Sequence, residues 1–104
     1  MTNLFMIENN KMSPYAMRGD LVQYELIKDC RVICSLYVVE LYGVKMLARV
    51  TPLIRGGVAL SFDDTFTDNI ELSKEQINNI VFIGHVTGLY KKNGEHIERF
   101  SLYN

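Results

Sequence analysis

The sequence predicts a fold built mainly of β-strands, with one short helix. Its apolar segments are short and rich in β-branched and aromatic residues, most clearly over residues 32–42, and these residue types favour strands over helices. Turn-forming pairs separate the segments, including Gly19-Asp20, Tyr42-Gly43 and Asn93-Gly94. A chain of 104 residues can build one hydrophobic core but not two. We therefore expect a single domain over residues 1–104.

Each element follows from a local pattern. In the segment at residues 21–27, alternation predicts that Val22, Tyr24 and Leu26 form the buried face. Ser73 and Gln76 have capping-box spacing and predict about one turn of helix. Gly84 and Gly88 interrupt a strand pattern, either at bulges or where backbones approach closely. The predicted strands are residues 4–7, 21–27, 32–42, 44–53, 58–62, 80–83, 86–91 and 96–103.

Composition limits the classes of function. Eleven basic and 12 acidic residues give a net charge of −1, whereas nucleic-acid-binding modules usually present a basic face. No apolar run approaches the roughly 20 residues of a membrane span, and the N-terminus lacks the pattern of a secretory signal. Cys30 and Cys34 are too few for a disulfide scaffold or a four-cysteine zinc site. These features predict a cytoplasmic protein with no membrane partner.

One loop carries a recognisable motif between the first two predicted strands. It contains Met12-Ser13-Pro14 and then Arg18-Gly19-Asp20-Leu21-Val22. These residues resemble the Ser-Met-x-Pro and Gly-Asp-Leu-Val motifs of the peptidase domain in LexA-like and phage-type repressors. Residues 36–43 resemble the family's Tyr-Val-Val-x-Leu-x-Gly hairpin, and residues 80–88 its closing Ile-x-Gly-x-Val strand. The resemblance covers residues 4 to about 91 and implies a LexA/signal-peptidase-like β-rich fold.

The resemblance also implies that the catalytic dyad is lost. Lys11 stands at the position of the nucleophilic serine, and Ala48, followed by Arg49, stands at the position of the lysine base. A Ser-Lys pair needs a hydroxyl and an amine whose pKa is lowered by burial. Lys45 is three positions before Ala48, so its side chain is predicted on the opposite face of the strand. The Ala-Gly or Cys-Gly bond that active members cleave is absent from the sequence.

The remnant motif consists of Met12, Pro14, Gly19 and Asp20. With the dyad lost, the resemblance predicts that these residues remain without a catalytic role. Ser13 lies at a position that the family leaves free.

Other candidate sites are weaker. His85 and His96 lie on predicted strands without nearby carboxylates or thiols, so a metal site is not expected. Cys34 and His85 could form a nucleophile and a base, but no third orienting residue accompanies them. An acidic cluster lacks the spacing and glycine of a calcium loop. Its members are Asp63, Asp64 and Asp68. We expect no metal and no cofactor.

The C-terminal tail is the predicted interface. Phe100, Leu102 and Tyr103 lie on a predicted terminal strand, whose edge and apolar side chains suit pairing with a second copy.

The sequence and the resemblance together predict a non-catalytic homodimerisation and regulatory module of a phage-type transcriptional repressor. Two successive amphipathic helices are absent, so DNA contact is expected only through a separate segment. The alternatives are a peptide-binding module that uses the remnant cleft, with residues 12–18 as the contact, and a serine peptidase with an unorthodox dyad.

Overall fold

The computed structural model describes residues 3–27 and 35–92, together with the backbone of residues 96–97. The described strands are β1 Asn3–Met6, β2 Leu21–Leu26, β3 Ser35–Leu41, β4 Val44–Pro52, β5 Val58–Ser61, β6 Ile70–Leu72, β7 Ile80–Tyr90 and β8 His96–Ile97. One 3-10 helix, Ile77–Asn79, precedes β7. The predicted β-rich architecture with one short helix is confirmed. Among the described residues, no helix has the length and apolar character that a membrane crossing requires.

All described strands belong to one antiparallel sheet. The strand order is β1-β2-β7-β3-β4-β5-β6, and β8 pairs with β7 outside this path. β7 is the organising strand because it pairs with β2, β3 and β8. β7 comes late in the sequence but lies between β2 and β3. The sheet therefore depends on pairing between segments that are far apart in the chain. The β3–β4 hairpin has the predicted Tyr42-Gly43 turn, since Leu41 pairs with Val44.

The prediction that glycines mark bulges or close backbone approaches in this strand is confirmed. Residues 80–90 form one strand of 11 residues, which absorbs two register shifts. Ile83 is the extra residue opposite β3, and Thr87 is the extra residue opposite β2. Gly84 has a packing role at the first shift, because an added Cβ would collide with the Tyr24 ring and lie 2.8 Å from the carbonyl oxygen of Glu25. The glycine therefore marks both a bulge and a close backbone approach within a continuous strand.

The buried face of β2 was predicted correctly only at its start. Val22 is fully buried, but Leu26 is 57% exposed. Leu26 is the last residue of β2, and its partner on β7 is Gly84, which has no side chain to pack against it. Alternation therefore identifies which side chains share a face of the strand. Whether those side chains are buried depends on the residues opposite them on the neighbouring strand.

The predicted capping residues form a turn rather than a helix start. The Ser73 backbone N–H donates to Oε1 of Gln76 at 3.0 Å, and the Gln76 N–H donates to the Ser73 carbonyl at 3.0 Å. The 3-10 helix begins only at Ile77. The side chain of Gln76 thus makes its half of the capping box, one turn before the helix.

The core is formed by the central strands and by the loop after β1. Consecutive residues Tyr37, Val38 and Val39 are all buried, which shows that both faces of β3 are covered. From the loop, Met12 and Ala16 join the same apolar cluster, with 1% and 0% exposure. The segment with the family-like motif is therefore part of the packed interior.

Candidate functional site

The motif loop, residues 8–20, is closed by backbone hydrogen bonds. Ile7 N–H donates to the Asp20 carbonyl at 2.8 Å, and Gly19 N–H donates to the Ile7 carbonyl at 2.9 Å. Within the loop, Ala16 N–H donates to the Met12 carbonyl at 3.0 Å. Met12 and Ala16 are buried, and these hydrogen bonds fix the loop against the core.

The other remnant positions lie in the same loop. Pro14 is exposed in the turn and follows a cis peptide bond from Ser13. Gly19 has a φ of +95°, a conformation that favours glycine. The loop therefore places the four remnant residues in different environments, with Met12 and Asp20 buried, Gly19 partly covered and Pro14 at the surface.

Asp20 anchors the loop to the end of β7. Its side chain is buried, and it accepts the Met17 N–H at Oδ2 and the Lys92 N–H at Oδ1, both at 2.9 Å. The ammonium of Lys91 lies 3.4 Å from Oδ2 and donates to the Tyr15 carbonyl at 2.6 Å. Burial acts to raise the Asp20 pKa, but the two backbone hydrogen bonds and the Lys91 charge outweigh it, so the pKa lies below its ordinary value. Asp20 therefore joins two segments as a carboxylate.

At the position of the family's nucleophile, Lys11 is held by packing and backbone contacts. Its N–H donates to Asn9 Oδ1 at 3.0 Å, and its carbonyl accepts the Asp64 N–H at 2.9 Å. The ammonium lies 5.6 Å from the centroid of the Phe62 ring, within the range of a cation–π interaction. In the described part of the chain, no serine hydroxyl is hydrogen-bonded to a lysine amine.

At the position of the family's base, Ala48 presents only a methyl group. It is fully buried in β4 and lies opposite Tyr37 of β3. Lys45 lies opposite Glu40 on the same hairpin, and the odd spacing from Ala48 places the two side chains on opposite faces. The Lys45 side chain therefore does not share a strand face with Ala48.

A bidentate ion pair lies beside these two positions. Arg49 donates to both carboxylate oxygens of Asp63, at 2.7 Å and 3.0 Å, and its guanidinium carbon lies 5.4 Å from the centroid of the Tyr15 ring. The hydrogen bond to Asp63 raises the Arg49 pKa above its ordinary value, and burial raises the pKa of the Tyr15 phenol. Lys11 contacts Phe62 and the Asp64 amide, and Arg49 binds Asp63. Residues 62–64 therefore lie between Lys11 and Arg49.

The acidic cluster has structural partners. Asp63 binds Arg49, and Asp64 accepts both the N–H and the hydroxyl of Thr67, at 2.9 Å and 2.8 Å. Asp68 is exposed. Within the described residues, no three His, Cys, Asp or Glu side chains are grouped so that they could hold a metal ion.

Sequence reasoning missed a hydrogen bond between two strands. Ser35 Oγ lies 2.7 Å from His85 Nε2, while Cys34, the partner proposed for His85, lies outside the described residues. The rings of Tyr37 and His85 are 5.5 Å apart at their centroids, and Glu25 is opposite His85 on β2. The sequence gives no sign of this hydrogen bond, because Ser35 and His85 are 50 residues apart and meet only through β3–β7 pairing.

The Ser35–His85 pair has the atoms of a nucleophile and a base, and its serine is buried between strands. Ser35 is only 8% exposed. Neither residue lines any of the three surface depressions described next. We therefore interpret the pair as a link between β3 and β7.

Three surface depressions surround this framework. The loop groove has a volume of about 690 Å³ and is lined by Asn10, Met17, Arg18, Gly19, Asp20, Lys91 and Lys92. The turn groove, of about 530 Å³, is lined by Leu53, Arg55, Gly56 and residues 71–76. The small cleft, of about 80 Å³, is lined by Phe5, Ile7, Glu8, Asn9, Met12 and residues 44–47.

The predicted contact surface over residues 12–18 is therefore only partly available. Met12 is 1% exposed, whereas Met17 is 46% exposed. Phe100, Leu102 and Tyr103, the predicted interface, lie outside the described residues, as does the side chain of His96.

Comparison with known proteins adds no relative. No family model matches the chain, and no curated protein matches it. The likeness to the LexA-like peptidase domain therefore rests on the ordered motifs of the sequence.

Proposed function

We propose that this chain is a non-catalytic domain of the LexA-like type, which serves as the dimerisation and regulatory portion of a phage-type transcriptional repressor. One observation carries the proposal, namely the surroundings of the two dyad positions. Lys11 directs its ammonium over Phe62, and Ala48 is a fully buried methyl group opposite Tyr37. Acyl transfer by a Ser-Lys dyad needs an attacking oxygen and a proton acceptor within hydrogen-bond reach, and these positions supply neither.

The motif residues that the chain retains have structural roles that do not depend on catalysis. Asp20 fixes the loop to the end of β7, and Met12 fills the core beneath it. These contacts explain how a peptidase-like loop can remain part of the fold after its nucleophile is lost.

Association is supported by the exposed edge of the sheet. β1 is the first strand of the sheet path and pairs only with β2 among the described strands. Leu4 and Met6, which are two residues apart and so on the same face, are 49% and 57% exposed. An edge with unpaired backbone groups and apolar side chains is suited to pairing with another strand. In this proposal a second copy covers that edge, the C-terminal tail with Phe100 adds contacts, and DNA is reached through a separate segment in the cytoplasm.

Sedimentation velocity over a micromolar concentration range tests the proposal. We expect a dimer for the native chain and a shift towards monomer for Met6→Lys and for Phe100→Asp. Phe66→Asp is the matched control, because Phe66 is 91% exposed in the loop after β5 and is absent from both proposed contacts. A native chain that is monomeric at every concentration contradicts the proposal.

The two alternatives do not depend on a dimer. A peptide-binding site with residues 12–18 as the contact would use the loop groove, which Met17 and Arg18 line, because the small cleft beside Met12 has a volume of about 80 Å³, well below the roughly 300 Å³ at which ligand pockets begin. A peptidase with an unorthodox dyad would react with a fluorophosphonate probe. We expect no labelling, and labelling that is lost on Ser13→Ala or Ser35→Ala would support the peptidase instead.

A further inference from the structure

The loop groove carries an excess of positive charge that the proposed function does not use. Among the described residues that line it, the cations are Arg18, Lys91 and Lys92, and the one acid is Asp20. Lys91 is paired with Asp20, so the charge of that acid is compensated within the fold. Arg18 and Lys92 are exposed, and neither forms an ion pair with any described residue. The groove therefore presents two cations for an external anion.

The turn groove has no such excess of positive charge. It contains the cations Arg55 and Lys74 but also the acids Glu71 and Glu75, so its formal charge is zero. The described residues that line the loop groove, three cations and one acid, have a formal charge of +2. The two grooves thus differ in the formal charge of their described lining residues.

The backbone that carries Arg18 and Lys92 is fixed in place. The Arg18 N–H donates to Asn10 Oδ1 at 2.9 Å, and the Lys92 N–H donates to Asp20 at 2.9 Å. The stem of Lys92 crosses Gly19 so closely that an added Cβ there would lie 2.9 Å from Lys92 Cδ. Fixing the start of each side chain lowers the entropy lost when it binds a ligand.

We propose that the loop groove binds a carboxylate presented by a peptide, with Arg18 and Lys92 as the groups that recognise it. The guanidinium of Arg18 can donate two parallel hydrogen bonds to a carboxylate, and Lys92 adds a charge-assisted bond. Met17, 46% exposed at the wall of the groove, provides an apolar contact for the neighbouring peptide side chain. A volume of about 690 Å³ lies within the usual range of ligand sites, roughly 300–1,000 Å³.

A carboxylate fits this groove better than a phosphate does. The Asp20 carboxylate lines the same groove, and the part of its field that Lys91 does not cancel repels a dianion more strongly than a monoanion. A nucleic-acid backbone would also need a wider basic surface, and the whole chain has a net charge of −1. Carboxylates can come from a peptide C-terminus or from a Glu or Asp side chain, and these two sources can be distinguished by experiment.

Fluorescence anisotropy with three labelled peptides tests the inference. The first ends in Ala-Leu with a free carboxylate, the second carries Glu before an amidated Leu, and the third is neutral and amidated. We expect the first or the second to bind and the third not to bind, and the better of the two identifies the source. Arg18→Gln combined with Lys92→Met should weaken binding by about tenfold or more, because two charge-assisted contacts are lost. Lys92→Met keeps an aliphatic stem over Gly19.

The matched control is Arg55→Gln combined with Lys74→Met, which removes the same charges from the turn groove and should leave binding unchanged. Amide chemical shifts of Arg18 and Gly19 in the native chain give a second readout, which should move with the binding peptide and not with the neutral one. The inference is overturned if no peptide binds, if the loop-groove variant binds as well as the control, or if inorganic phosphate displaces the peptide at lower concentration than acetate does. Peptide binding does not require a dimer, so its failure is distinct from failure of the proposed association.

Discussion

The carboxylate of Asp20 accepts the backbone N–H of Lys92 at 2.9 Å, although 72 residues separate the two in sequence. The same carboxylate accepts the Met17 N–H and faces the Lys91 ammonium. A buried acid thus satisfies backbone donors from the motif loop and from the end of the central strand. This arrangement makes Asp20 the link between the most recognisable loop of the chain and its sheet.

Replacement of Asp20 by Asn should destabilise the fold by about 1–3 kcal/mol, because buried charge-assisted hydrogen bonds are weakened and one carboxylate oxygen becomes an amide donor facing Met17 or Lys92. Urea denaturation followed by circular dichroism measures the change. Asp68→Asn removes an equal charge from an exposed position and should have little effect. Equal stabilities for the two variants would contradict the anchoring role of Asp20.

The Asp20 anchor should also make stability depend on pH in acid. The folded-state pKa of Asp20 lies below its ordinary value of 3.8, so the unfolded chain binds the proton more readily than the folded chain does. The stabilisation is therefore fully present above the unfolded-state pKa and is lost as pH falls through the folded-state pKa. The urea midpoint of the native chain should drop below about pH 4, and Asp20→Asn should reduce that drop. Parallel curves for native and variant would show that Asp20 contributes nothing to the pH dependence.

Restoring a lysine at the base position should be costly. Ala48 is fully buried in β4, so Ala48→Lys either buries an ammonium or forces the strand apart, with a loss on the order of 3 kcal/mol. Val44→Lys, on the same strand but at a position 59% exposed, is the control and should be nearly neutral. Thermal unfolding of both variants gives the comparison, and a stable Ala48→Lys protein would show that the position can still accept a base.

The Ser35–His85 hydrogen bond should contribute to the pairing of β3 with β7. Ser35→Ala and His85→Phe should each destabilise the fold, and a double-mutant cycle should give a coupling free energy of about 1 kcal/mol. Thr87→Val in the same strand is a control because its hydroxyl makes only a long bond, 3.4 Å, to the Gln23 carbonyl. Additive effects of the two substitutions would show that the 2.7 Å contact contributes no coupling.

The sequence by itself determined the local structure, and through the resemblance it predicts one chemical consequence. Short β-branched segments and turn residues were sufficient to predict a β-rich fold with a short helix and the Tyr42-Gly43 hairpin, because these features depend on neighbours in sequence. The identities of Lys11 and Ala48 predicted the loss of the dyad through the resemblance alone. That prediction required no coordinates, since an amine and a methyl group differ chemically from a hydroxyl and an amine wherever they lie.

Only the tertiary structure decided which distant segments meet. It placed β7 between β2 and β3, brought His85 to Ser35 and Lys92 to Asp20, and left Leu26 uncovered opposite Gly84. It also merged two predicted strands into residues 80–90 by means of bulges at Ile83 and Thr87. Local propensity acts over a few residues, whereas strand order and register are selected by burial across the whole sheet. The same reason explains why the charge excess of the loop groove becomes visible only in the fold, where Arg18 and Lys92 line one groove.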